Sequence, residues 1–171
     1  MPPTRKPKAT LAPRRTRLSH VDSRGRGQMV DVGAKEVTRR EAVARGFIAI
    51  GRAGLEAIRS GSVAKGDPLQ AARLAGIMAA KRTSELIPLC HPLPVSYVDV
   101  QLGPTADGYE VIATVRVEAR TGVEMEALMA VTVAMLTVYD MLKAIDREMV
   151  IGEIRLIKKT GGRSGAYRRS E

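Results

Sequence analysis

At 171 residues the chain is long enough for one domain with a sizeable core, and its 44% hydrophobic content is that of a globular protein. A single cysteine, Cys90, excludes an internal disulfide framework and fits the reducing cytoplasm. The formal charge of +10 divides unevenly, with +7 in residues 1–27, −1 in 28–157 and +4 in 158–171, so the folded body is near neutral and the basic excess sits at the ends.

The N-terminal stretch lacks the apolar run of a secretory signal, and no segment reaches membrane-spanning length without charges. Residues 1–18, rich in Pro and Arg, read as a disordered basic tail. Residues 28–35, QMVDVGAK, form a Gly-containing connector. EVTRREAVARGFIAI, 36–50, alternates approximately, with Ala42, Ala44, Ile48 and Ile50 on one face and Glu41 and Arg45 on the other, and reads as a half-buried strand, although EAVAR is also compatible with a helix. A short helix is expected over 52–60, stopped by Gly61.

Asp67 and Pro68 form a helix start, an acidic N-cap followed by proline at the first helical position. The helix predicted over 68–86 carries Ala71, Ala72, Ala75, Gly76, Ala79 and Ala80, small enough for close packing, and must end before Pro88. PLCHPLP, 88–94, is a stiff proline-bracketed loop. VSYVDVQL, 95–102, and YEVIATVRVEA, 109–119, both alternate and form an antiparallel hairpin across GPTADG. A long helix is predicted over 121–147, with Thr121 as N-cap, acids at its start and Lys143 and Arg147 near its end. MVIGEIRLI, 149–157, is a last strand, followed by the Gly-rich tail KKTGGRSG. The order β-α-α-β-β-α-β is that of an α+β, ferredoxin-like split β-α-β fold, a four-stranded antiparallel sheet with helices on one face.

The long helix carries a dense apolar block that predicts burial around most of its circumference. Its polar exceptions are Glu124, Glu126, Asp140 and Lys143. Asp140 lies about 40° in azimuth from Glu126 but about 21 Å along the axis. One small ligand cannot touch both ends on one helix, so a site using both requires a second copy of the chain. The plainer alternative is a solvated stripe with an Asp140–Lys143 surface pair. His91, on the stiff loop, is either a functional side chain or a hydrogen-bonded histidine that braces the loop. One Cys and one well-placed His fall short of a zinc site. Lys65, in AKGDP before a helix N-terminus, stands where phosphate binding is favoured. Lys158, Lys159 and the pair Arg39–Arg40 are further candidate anion ligands.

Taken together, MVDV, AKGDP, AGIMAAKRT, LIPLCHPL, TGVEMEAL, YDMLKA and KTGGRSG resemble the molybdenum cofactor biosynthesis protein C family across about residues 20–166. The resemblance implies a single catalytic domain over 19–166, flanked by the basic tail and by residues 167–171. It implies a cytoplasmic lyase that converts a 3′,8-cyclised guanosine triphosphate to cyclic pyranopterin monophosphate and diphosphate. It also implies a homohexamer, a trimer of dimers with its active sites between subunits. Asp140 and Lys143 match the family's central acid–base pair, with Lys65 and His91 joining the catalytic set. Leu89, Cys90, His91, Glu124, Met125, Glu126, Lys159 and Arg40 match its substrate-binding positions. No resident cofactor or metal is implied, Mg²⁺ entering only with the triphosphate. The competing reading is a nucleic-acid-binding ferredoxin-like module with basic tails, which would need stacking aromatics on its central strands. The only strand aromatics are Phe47, Tyr97 and Tyr109.

Overall fold

The computed structural model describes residues 24–170, so the expected tail over 1–18 lies outside the described residues. The strands are β1 (Thr38–Ala49), β2 (Tyr97–Pro104), β3 (Gly108–Ala119), β4 (Val150–Thr160) and β5 (Tyr167–Arg168). The helices are α1 (Arg52–Ser60), α2 (Pro68–Lys81), α3 (Thr83–Leu86) and α4 (Glu124–Leu142). The sheet order is β2-β3-β1-β4-β5, with every neighbouring pair antiparallel. Its first four strands have the split β-α-β arrangement: β3 lies between β1 and β2, and β1 lies between β3 and β4. The fifth strand is an addition to the expected four.

The alternation read in the sequence fixes which face is covered. Ala42, Ala44 and Ile48 of β1 and Val111, Ala113, Val115 and Val117 of β3 are all buried beneath the helices. Two glycines set how closely those helices approach. A Cβ on Gly46 would lie 2.7 Å from both Met135 Cε and Val131 Cγ1, so its absence lets α4 settle onto β1. A Cβ on Gly76 would lie 2.8 Å from the Ala130 carbonyl oxygen, so the small-residue face of α2 packs directly on the backbone of α4.

Several expected boundaries shift, and those of two helices and the last strand have a local reason. The helix predicted over 68–86 begins as foreseen, Asp67 accepting from Leu69 N at 2.9 Å and Gln70 N at 3.1 Å, but breaks at Arg82. There the buried Thr83 hydroxyl donates back to the carbonyls of Ala79 and Ala80, each at 3.2 Å, and competes with the helical ladder. The long helix is shorter than 121–147. It starts after Val123, without a side-chain cap from Thr121. It stops at Leu142, where Asp146 turns away to accept from Gly51 N at 2.7 Å and Glu148 N at 2.9 Å. The last strand runs three residues further than expected, so Lys158 and Lys159 lie within β4 rather than in a tail.

By length and composition α4 could cross a membrane, yet it serves here as the core helix. Its buried side chains include Ala127, Ala130, Val131, Ala134, Met135 and Val138. Burial around most of its circumference is not what the fold provides. Met125 remains 37% exposed and Leu136 52%, with Met129 and Val133 half-buried between them. One face therefore packs on the sheet while the opposite face carries an open apolar stripe.

The Gly76 contact gives a stability prediction with two opposing contributions. Alanine in a helix interior is favoured over glycine by about 1 kcal/mol, but a Cβ pressed on a backbone oxygen forces α2 and α4 apart. Gly76→Ala is expected to lower stability by a net 1–3 kcal/mol or so, read as a lower urea midpoint at unchanged slope. A midpoint equal to wild type would remove the claim that this glycine sets the helix–helix distance.

Candidate active site

The chemistry-bearing residues gather at the two ends of α4. At its N-terminal end, Leu89, Cys90, His91, Glu124, Met125 and Glu126 line one cavity of about 390 Å³. The proline-bracketed loop brings the first three there, and the first turn of α4 brings the others. Nε2 of His91 donates to the Val30 carbonyl at 2.9 Å. That bond ties the loop to the connector over 28–35, and in the neutral ring it leaves Nδ1 as the acceptor. His91 thus braces the loop and lines the cavity at once.

Glu126 is 4% exposed, a carboxyl buried at the cavity floor. Burial pushes its pKa up to about 7; a hydrogen bond from its own backbone N–H opposes the rise, and the charge of Glu124 adds to it. The carboxyl can therefore hold or release a proton near neutral pH. Burial, and then Glu126, also push the Cys90 thiol up, so Cys90 contributes a protonated wall rather than a nucleophile. Glu124 turns the other way, its Oε1 lying 3.1 Å from Lys159 Nζ. Its carboxylate folds over Gly122, where any Cβ would collide with it.

Strand alternation explains how Lys159 reaches this site. Adjacent residues of β4 point to opposite faces. Lys159 turns toward α4, where it also donates to Ser164 Oγ at 3.0 Å. Lys158 turns to the uncovered face, where it lies 3.0 Å from Glu41 Oε1. Arg116 Nε donates to the other oxygen of Glu41 at 2.7 Å, and the two cations hold that carboxyl below its usual range. Arg40 lies beside the first cavity, its Nε donating to the Ala119 carbonyl at 2.9 Å.

At the other end of α4, Asp140 stands between two lysines. Lys143 Nζ is 2.8 Å from Oδ1, and Lys65 Nζ is 2.8 Å from Oδ2 and 2.9 Å from the Asp140 carbonyl oxygen. Lys143 and then Lys65 hold the Asp140 carboxyl down at about 2. Asp140 in turn raises Lys143. Lys143 is half-exposed and its nearest charge is an anion, which favours its charged form. The pair expected on the surface is thus a triad that draws in Lys65 from the loop before α2.

The fold does not bring the Glu126 and Asp140 ends together within one chain, since the continuous α4 separates them. Sequence reasoning missed Val30, Val32, Lys35, Leu93, Thr121 and Gly122, which complete the lining of the first cavity. Val30, Val32 and Lys35 belong to a connector without periodicity, and only the His91–Val30 bond reveals that it forms a wall.

Residues 29–162 match the MoaC family. The chain belongs to that family. It is 57% identical over 154 residues to the cyclic pyranopterin monophosphate synthase of Pelotomaculum thermopropionicum, covering 89% of this chain and 91% of that protein. The protein of the same name from Novosphingobium aromaticivorans is 56% identical, with 90% of this chain and 98% of the relative covered. Cyclic pyranopterin monophosphate synthase 3 of Mycobacterium tuberculosis is 58% identical, with 90% and 88% covered. The family match begins and ends within the two segments that carry Val30 and Lys159, so it spans both ends of α4.

Glu126 supplies a pH dependence of definite sign. Its folded pKa lies above the ordinary value of 4.5, so the folded chain holds an extra proton between pH 4.5 and 7. Stability from this group is full below pH 4.5, falls as pH rises through 7 and is constant beyond. Between pH 5 and 8, wild type is expected to lose about 3 kcal/mol of unfolding free energy relative to Glu126→Gln. Parallel stability profiles for the two proteins would show that Glu126 is ionised throughout.

Proposed function

We infer that the protein is a cyclic pyranopterin monophosphate synthase, a lyase of molybdenum cofactor biosynthesis. It converts (8S)-3′,8-cyclo-7,8-dihydroguanosine 5′-triphosphate to cyclic pyranopterin monophosphate with release of diphosphate. The observation that carries this reading is the convergence of Leu89, Cys90, His91, Glu124, Met125 and Glu126 on one cavity in a chain 56% identical to an enzyme of that name over 90% of its length. His91 and Glu126 orient the base and exchange protons with it. Lys159, with Glu124 beside it, meets the anionic part of the substrate. The Lys65–Asp140–Lys143 triad supplies charge for opening and reclosing the ring. No resident cofactor is assigned, and Mg²⁺ enters with the triphosphate as part of the substrate.

The active form is a cytoplasmic homohexamer, a trimer of dimers, in which each site draws on two copies. The open apolar stripe on α4 supports this, since it runs from Met125 to Leu136 between the two polar clusters. Residue 133 is midway between 126 and 140. A two-fold axis near Val133, with the α4 helices antiparallel, would set each copy's Glu126 end against the other's Asp140 end. A nucleic-acid-binding module is not supported. Of the three strand aromatics expected from the sequence, Tyr109 is buried and Tyr97 is occupied by the Arg116 guanidinium 4.6 Å above its ring, which leaves Phe47 as the one ring of that set free to stack.

The shared site predicts complementation. Glu126→Gln and Asp140→Asn are each expected to abolish conversion of the cyclised nucleotide when pure. Mixed one to one and reassembled, they should recover about a quarter of wild-type activity, because half the dimers are mixed and each mixed dimer holds one unaltered site. No recovery from mixtures shown by mass spectrometry to contain both chains would place each site within a single copy.

A further inference from the structure

Helix α1 buries little of itself, only Gly54 and Ala57. Its N-cap, Gly51, has no side chain to cap it, and no acid stands in its first turn. The acceptor it lacks comes from 95 residues further along the chain. Asp146, in the turn after α4, accepts from Gly51 N on Oδ2 at 2.7 Å and from Glu148 N on Oδ1 at 2.9 Å. A carboxylate in this place satisfies an orphan backbone donor and meets the positive end of the helix dipole. The face of α1 that meets it carries glycine at both contact points. A Cβ on Gly51 would lie 3.0 Å from Asp146 Oδ2, and one on Gly54 would lie 3.7 Å from Asp146 Cβ, so α1 rests directly on this side chain.

The other end of α1 leads into the loop with Lys65. Main-chain bonds of that loop run back to α1 or close within it: Gly61 N donates to the Ile58 carbonyl at 3.3 Å, Ser62 N to Ala57 at 3.1 Å and Gly66 N to Val63 at 3.0 Å. Gly66, at φ 94°, separates Lys65 from the start of α2, so the loop follows α1. Lys65 Nζ then reaches across to the Asp140 carbonyl at 2.9 Å and to Oδ2 at 2.8 Å. Helix α1 is thus a strut fastened twice to the C-terminal end of α4, by Asp146 at its start and by Lys65 beyond its end. Lys143 is set without the strut. Its own N–H continues the α4 ladder to Tyr139 at 2.9 Å, and the next turn closes on the Leu142 carbonyl through Ile145 N at 2.8 Å and Asp146 N at 3.0 Å.

We propose that Asp146 is a positioning residue of the Lys65–Asp140–Lys143 triad: by holding the start of α1 it sets where Lys65 meets Asp140. It acts through Gly51 and α1. The proposal rests on the reading of the triad as part of the active site and adds to it a side chain that the reading did not use.

Steady-state conversion of the cyclised nucleotide by the assembled protein tests it. Asp146→Ala is expected to lower kcat roughly ten- to a hundredfold with KM unchanged, as when a group is displaced from the reacting atoms. Asp146→Asn, whose carbonyl oxygen can still accept from Gly51, should recover most of the loss. In a Lys65→Ala background, Asp146→Ala should cost nothing further, because it acts through that lysine. Hydrogen exchange over residues 51–66, read by mass spectrometry on variants that assemble as wild type does, should quicken in Asp146→Ala. Gly51→Ala presses on the carboxylate from the other side and should move both readouts the same way. It and Asp146→Asn carry the test if the alanine variant fails to assemble. Equal kcat losses from Asp146→Ala with and without Lys65 would overturn the proposal. So would faster exchange over 51–66 at wild-type kcat, which would leave Asp146 a cap of α1 and nothing more. A wild type that does not convert the nucleotide, while Asp146→Ala and Lys65→Ala each quicken exchange over 61–66, would keep the strut and discard the enzymatic reading instead.

Discussion

The seat of α4 on β1 and β3 is the constraint from which the rest follows. It depends on Gly46 as much as on the apolar side chains, because Val131 and Met135 occupy the space a Cβ would take there. Once the helix is seated, its direction is fixed and its ends become the two places where polar groups emerge from an aliphatic core. The first turn delivers Glu124 and Glu126 to the loop carrying His91, and the last turn delivers Asp140 to Lys65. The core positions the chemistry by holding a rigid rod, and the rod's length decides how far apart the chemistry lies.

The two ends differ in electrostatic character. At the N-terminal end a carboxyl is buried and keeps its proton up to about neutrality. At the C-terminal end a carboxyl stands in solvent between two ammonium groups and is ionised down to about pH 2. One helix thus presents an acid that can be neutral and an acid that is always charged, and only burial and neighbours distinguish them.

Much of this was legible in the sequence. Strict alternation in β3 and approximate alternation in β1 gave the covered face, and Asp67–Pro68 marked the start of α2, because these signals are local. The Thr83 break was missed because the hydroxyl competes with the ladder only when it is buried. The extension of β4 was missed because Lys158–Lys159 before two glycines has the composition of a tail, whereas Glu41 and Glu124 on opposite faces stabilise it as strand. The distance between Glu126 and Asp140 was readable from helix geometry alone. The burial of Glu126 was not, since it depends on a loop and a connector distant in the sequence. The connector itself, with Lys35 at its end, has no periodicity and acquires meaning only from what it covers.

The short strand β5 has a consequence for that last region. Tyr167 pairs with Lys159 and Arg168 with Lys158, so the glycine-rich segment between them is a closed loop with both ends held in the sheet. The conformational entropy of a segment with four glycine or serine residues in 161–165 is therefore largely surrendered when the chain folds. A ligand that contacts this loop would meet a segment already restricted, so that association would not have to order it. The Tyr167–Arg168 pairing thereby limits how far the loop can move.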